Sequence, residues 1–194
     1  MDSCKKENSC IDFINNFISR EKTYQVLENE YSYYSLFGMK GTPIDQLQPN
    51  SIVLVSLPNY NFGNTRPDWD DFTKTCDVRA INFNEADLIT CFSNDYGYEK
   101  WIEKAIEFYG SKGDILILIS SSGKSKNMLN ACKAARRKKI QKIITFTGHK
   151  KNNPLSKLGD INLWVDSNIY NHVENTHQIW LLAVCDLIKI NKIK

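Results

Sequence analysis

The stretch Gly113 to Lys139, GDILILISSSGKSKNMLNACKAARRKK, restricts the folds open to this chain more than any other. After a Gly113-Asp114 turn, Ile115-Leu116-Ile117-Leu118-Ile119 is an unbroken β-branched and aliphatic run. A strand with one wet face would alternate. An uninterrupted run predicts a strand buried on both faces, as in a parallel sheet. Ser120-Ser121-Ser122-Gly123-Lys124-Ser125 follows, and the apolar period then turns helical through Met128, Leu129, Ala131, Cys132 and Ala135. A hydroxyl-rich loop between a buried strand and a helix N-terminus is a ready anion site. Its Oγ atoms can donate, Gly123 admits a close backbone approach, and first-turn N–H groups have no intrahelical partner. Phosphate is the natural occupant, with Ser120, Ser121, Ser122 and Ser125 as candidate ligands. Serine also serves in caps and turns, but four in six positions favour the phosphate reading. The loop is not a nucleotide P-loop, because GxxxxGK[ST] needs glycine where Leu118 stands.

The rest of the chain alternates in the same way. Residues 9–37 carry two amphipathic, aromatic-rich stripes, Ile11 to Ile18 and Tyr24 to Leu36, ended by Gly38, Gly41 and Pro43. A helical pair ahead of an α/β core must bury its stripe on the sheet or on another subunit. Residues 1–45 are therefore read as a helical oligomerisation segment and 46–194 as the α/β domain. Strands are expected over 51–57, 78–83, 115–119, 142–147 and 161–165. Helices are expected from Asp68, over 88–92, through Trp101 to Phe108, after Ser125, and over 172–190. Strands alternating with helices at this spacing predict a parallel sheet covered on both faces. Ligands then collect at the carboxyl ends of the strands, where the serine loop would lie.

Bulk properties exclude several classes. A chain of 194 residues holds one full core, and 25 Lys+Arg against 22 Asp+Glu gives only +3, so no direct nucleic-acid binding is expected. The basic run Arg136-Arg137-Lys138-Lys139 falls near a helix C-terminus, where cations oppose the macrodipole. The six cysteines show no CxxC or Cys/His metal spacing, and three sit in apolar periodic segments as small hydrophobes. Met1 to Cys10 is polar rather than signal-like, and no apolar run approaches the ~20 residues of a membrane span. A reduced, cytoplasmic protein without membrane contact is expected.

ILISSSGKSKN followed by an alanine-rich helix and then KIITFTGHK resembles the sugar isomerase (SIS) domain. SNDYGYEKW upstream and CDLIK in the last helix resemble its phosphoheptose isomerase branch more narrowly. The resemblance implies a three-layer, flavodoxin-like fold with a five-stranded parallel sheet and N-terminal helices that build a homo-oligomer, tetramer or dimer. It also implies that Ser120, Ser121, Ser122 and Ser125 hold the phosphate of a phosphorylated sugar, with Asp95 at the sugar end. Departures accompany it. Leu57-Pro58-Asn59-Tyr60-Asn61 stands where the family has GNGGS, and Asp71 is the nearest counterpart of a family glutamate that acts as acid/base or zinc ligand. Pro67 replaces a histidine one turn earlier, Glu174 replaces a glutamine, and Leu182 replaces the catalytic histidine. With that set broken, no metal or other cofactor is expected.

Aldose–ketose isomerisation through an enediol needs a base that shuttles a proton between adjacent carbons and an acid that serves the oxygens. Glu174 and His177 are three apart on a predicted helix and share a face. They are the candidate base and acid, with Asp71 a further candidate. The alternative places His177 in helix packing and Glu174 at the surface. His149, followed by two lysines, is expected to be exposed. Two functions stay open: an isomerase of a phosphorylated sugar such as sedoheptulose 7-phosphate, or a non-catalytic sugar-phosphate sensor or protein-interaction scaffold.

Overall fold

The computed structural model describes residues 53–56 and 68–192. The helices expected over 9–37, the 1–45 segment they define and the loop that replaces GNGGS lie outside the described residues, as does Pro67. In chain order the elements are β1 (Val53–Ser56), α1 (Asp68–Lys74), β2 (Ala80–Asn82), α2 (Ala86–Tyr96), α3 (Trp101–Tyr109), β3 (Ile115–Ser120), α4 (Lys126–Arg137), β4 (Lys142–Thr147), β5 (Ile161–Trp164) and α5 (Tyr170–Lys192).

The strands join in the order β2-β1-β3-β4-β5, and every neighbouring pair is parallel. All six residues of β3 are buried, as its unbroken apolar run requires of a central strand. Its alternate side chains serve opposite layers. Leu116 and Leu118 join Ile143 of β4 with Trp101, Ile102 and Ile106 of α3 and Met128, Ala131 and Ala135 of α4. The alanines leave room for α4 to lie close to the sheet. On the other face, Phe146 of β4 presents its ring to His177 and Trp180 of α5 at centroid distances of 5.6 and 6.2 Å. α1 lies on this second face, where Cys76 just beyond it donates its S–H to Cys185 O of α5 at 3.4 Å. The expected α/β architecture, a parallel sheet covered by helices on both faces, is the one found. Each fully buried Leu, Ile or Phe in it contributes roughly 1.5–3 kcal/mol of transfer free energy.

Two local features differ from the sequence expectation. α2 does not stop at Phe92 but continues through Ser93-Asn94-Asp95-Tyr96. Those are weak helix formers, yet no stop signal precedes Gly97, whose φ of +85° ends the helix while its N–H caps Ser93 O at 2.9 Å. α3 begins only at Trp101, so Asp95 sits in the last turn of α2. The second difference is His149, which is half-buried rather than exposed. It takes φ +53°, donates its N–H to Ser167 O at 2.9 Å and packs its ring on Tyr170, 4.9 Å between centroids. The two arginines of the basic run near the end of α4 are spent on ion pairs. Arg136 forks onto Asp160, and Arg137 reaches Glu103 and Glu107 of α3. Among the described residues no helix is long and apolar enough to cross a membrane.

Candidate phosphate and acid/base site

β3 and β4 pair in register to their last residues, Ser120 opposite Thr147. Their carboxyl ends therefore stop at one level and set the serine loop beside Thr147-Gly148. Gly148 N–H donates to Ser121 O at 2.9 Å and ties the two loops together. Within the loop, Ser120 Oγ accepts the Gly123 N–H at 3.2 Å and lies 3.4 Å from Ser125 Oγ. Ser122 Oγ accepts the Lys124 N–H at 3.3 Å, which leaves its own O–H to donate. Ser125 has the extended backbone of an N-cap, φ −60° and ψ 123°, but its side chain makes no cap bond. The amides of Lys126 and Asn127 at the start of α4 have no intrahelical acceptor, and they follow directly on the loop hydroxyls, the arrangement that suits an anion. Ser120 and Ser121 are buried, Ser122 and Ser125 half-buried.

The loop is braced from outside by a residue that sequence reasoning passed over. Asn153 is 2% exposed and packs against Gly123, where a Cβ would land on its carboxamide. Gly123 holds φ +62°, and its carbonyl accepts Leu155 N–H at 3.0 Å. Asn153 in turn closes its own loop, donating to Lys150 O at 3.0 Å and accepting from Ser156 N–H at 2.9 Å. The Asn-Pro pair within the polar 149–156 stretch was the available signal.

α5 brings the titratable groups. Glu174 Oε1 accepts from Ser121 Oγ at 3.3 Å, so a carboxylate stands against the serine loop. Burial raises its pKa above the ordinary value, and the Ser121 hydrogen bond offsets part of that. One turn on, His177 is 1% exposed, and its Nε2 lies 3.1 Å from Thr147 O. A carbonyl only accepts, so Nε2 carries the proton of a neutral ring. Burial pushes its pKa down to about 4, against the smaller opposing effect of the Thr147 bond. The two candidates thus share a helix face, but they meet different loops.

Other expected residues are not brought into this cluster. Asp71 is half-buried on α1 and accepts the Thr75 and Cys76 amides through its backbone carbonyl. Asp95 is exposed, and its Oδ1 accepts from neighbouring Asn94 at 3.0 Å. The zinc set that the resemblance implies does not fit. Leu182 offers no ligand atom, and among the described residues no three His, Cys, Asp or Glu side chains come together.

Comparison with known proteins matches this geometry. The SIS domain family model covers residues 71–148, from α1 through the serine loop to the end of β4. The phosphoheptose isomerase of Neisseria gonorrhoeae superposes with a TM-score of 0.70 at 20% identity, covering 94% of this chain and 97% of that one. Over residues 71–148 the chain is similar to SIS domain proteins. The phosphoheptose isomerases of Histophilus somni and Aliarcobacter butzleri are 35% and 38% identical over 119 and 104 residues. Those matches take in 58% and 54% of this chain and only 60% and 54% of the relatives, so they span little more than half of each. The SIS model stops before α5. Glu174 and His177, the groups with the clearest chemistry, lie beyond the matched span.

Proposed function

We propose that this SIS domain binds a phosphorylated sugar at the serine loop and isomerises it between aldose and ketose forms, with a phosphorylated heptose such as sedoheptulose 7-phosphate as substrate. The Glu174 carboxylate beside Ser121 carries the reading, because it puts a base of raised pKa against the phosphate loop. Ser122 and Ser125 hydroxyls and the α4 amides take the phosphate, which fixes the sugar's distance from α5. Glu174 then moves the proton between adjacent carbons while the matching proton passes between the two sugar oxygens through solvent water; a carboxylate raised toward neutrality balances basicity against availability. The Nε2 proton of His177 is engaged by Thr147 O, so His177 holds α5 in place rather than serving the sugar oxygens. Relatives described as phosphoheptose isomerases support the substrate class. Residues 1–45, with their aromatic amphipathic stripes, join copies of the chain into a homo-oligomer, and the protein works in the cytoplasm.

The test is turnover of a panel of phosphorylated aldoses and ketoses in D2O, followed by exchange of the carbon-bound proton. Exchange that vanishes in Glu174→Gln is expected. A sugar phosphate that raises the melting temperature while none on the panel exchanges would sink the isomerase reading and leave a sensor or scaffold in its place.

A further inference from the structure

Family resemblance treats all four serines of the loop as one set of phosphate donors. Their contacts divide them. Ser121 is 7% exposed and tied to the end of β4 and to α5: its carbonyl accepts from Gly148 N–H at 2.9 Å and its hydroxyl donates to Glu174 Oε1 at 3.3 Å. A hydroxyl has one proton to give. Donated to a carboxylate, it is not available to a phosphate. A phosphate drawn to the same hydroxyl would also approach an unshielded carboxylate, and like charges at hydrogen-bond range repel. Ser122 and Ser125 are half-buried beside the start of α4, and their hydroxyls meet the Lys124 N–H and the Ser120 hydroxyl rather than a carboxylate.

We infer that Ser121 is a positioning residue for Glu174 and not a phosphate ligand, so that phosphate is held by Ser122, Ser125 and the first amides of α4. The inference rests on the proposed isomerase site and divides it into a binding half and a reacting half that meet within one loop. Among the described residues no ionisable group takes this place beside Glu174. Lys124 and Lys126 at the loop's exit are exposed, and Lys126 pairs with Glu99 at 2.8 Å. His149, beyond β4, packs on Tyr170, and on α5 itself His177 is turned to Thr147 while His172 stands half-buried in the first turn. Burial alone raises the Glu174 pKa and only the Ser121 bond lowers it, so removing that hydroxyl must raise it further.

The experiment compares Ser121→Ala, Ser121→Thr and Ser122→Ala in the full-length chain with two readouts that need no turnover. The first is the affinity for inorganic phosphate by titration. The second is the Glu174 carboxyl titration by carbon-13 NMR, assigned by its absence from Glu174→Gln. Ser122→Ala should weaken phosphate by about tenfold with the Glu174 titration unmoved. Ser121→Ala should leave phosphate within about twofold and move the titration to higher pH, and threonine should restore it. Should Ser121→Ala weaken phosphate as much as Ser122→Ala does, or leave the titration where it was, the assignment is overturned. Absence of any sugar turnover would refute the isomerase reading alone, because both readouts stand without it.

Discussion

The serine loop and the facing turn of α5 form the two halves of one site, and they are built in opposite ways. The loop is local: Ser120 at the end of β3, the five residues that follow and the first turn of α4 supply its hydroxyls and its helix amides. The α5 half is assembled at a distance, with Glu174 meeting Ser121 across 53 residues and His177 meeting Thr147 across 30. The loop works with neutral dipoles, which keep their donor strength at any ordinary pH. The α5 half works with groups whose protonation the fold sets. One turn apart, burial drives both toward their neutral forms: the Glu174 pKa rises and the His177 pKa falls. Binding and reaction should therefore respond differently to pH and to mutation, and each experiment below asks one half to behave like the other.

The largest separation comes from Glu174→Gln. Amide for carboxyl keeps the shape and an acceptor for Ser121 but removes the base. Turnover should fall by about 10²- to 10⁴-fold, equivalent to about 3–5 kcal/mol of barrier, with phosphate affinity held within about twofold. In the wild type, turnover should be lost as pH falls through the Glu174 pKa, since only the carboxylate accepts a proton, and this acid limb lies above the ordinary 4.5. A kcat profile measured between pH 4 and 8 checks it. Equal losses in binding and turnover would join the two halves and break the comparison.

The next effect is on folding. His177 titrates near 4 in the folded chain and near its usual 6.5 when unfolded. Between those values the unfolded state takes a proton that the folded state refuses, so its contribution is present above 6.5 and lost as pH falls toward 4. The loss amounts to about 3 kcal/mol at most. Urea unfolding at pH 7 and pH 5 measures it, and His177→Gln should flatten the dependence because an amide can still donate to Thr147 O without titrating. An unchanged slope in that variant would move the acid sensitivity to other groups.

How much of this could be read beforehand follows the same division. Ile115 to Ile119, the hydroxyl cluster and the switch to helical period announced β3, the loop and α4, because strand burial and helix initiation are written in neighbouring residues. Glu174 and His177 were legible as a shared face, since i and i+3 fix that on any helix. Their separate partners were not, because the parallel order β3-β4 and the packing of Phe146 on α5 decide which loop each meets. His149 defied its polar neighbours for the same reason: a left-handed backbone turned its ring onto Tyr170. Asp95 was expected ahead of a helix and stands at the end of one, where only Gly97 supplies a stop.

A smaller effect tests the loop half. Ser122→Ala combined with Ser125→Ala should weaken a sugar phosphate by about ten- to a hundredfold, or about 1.4–2.8 kcal/mol by isothermal titration. Neither hydroxyl is a structural cap, so the unliganded melting temperature should hardly move. Ligand stabilisation that survives the double change would place the phosphate elsewhere.

The smallest effect marks where the site ends. Arg137 offers a positive charge on the same helix that opens at the serine loop, yet its guanidinium lies at the far end of α4, paired with Glu103 at 2.6 Å and Glu107 at 2.8 Å. Half-exposed pairs of this kind hold two long side chains in water, where screening and lost rotamer freedom consume most of the attraction. Arg137→Ala should therefore cost under about 1 kcal/mol of stability and leave phosphate affinity unchanged at constant salt. Because the helix dipole acts over the first turn only, charge removed at the last turn has no route to the bound anion. A measurable weakening of phosphate in this variant would mean that the basic run takes part in ligand recruitment, and the division between a neutral binding half and a titrating half would need a third, long-range component.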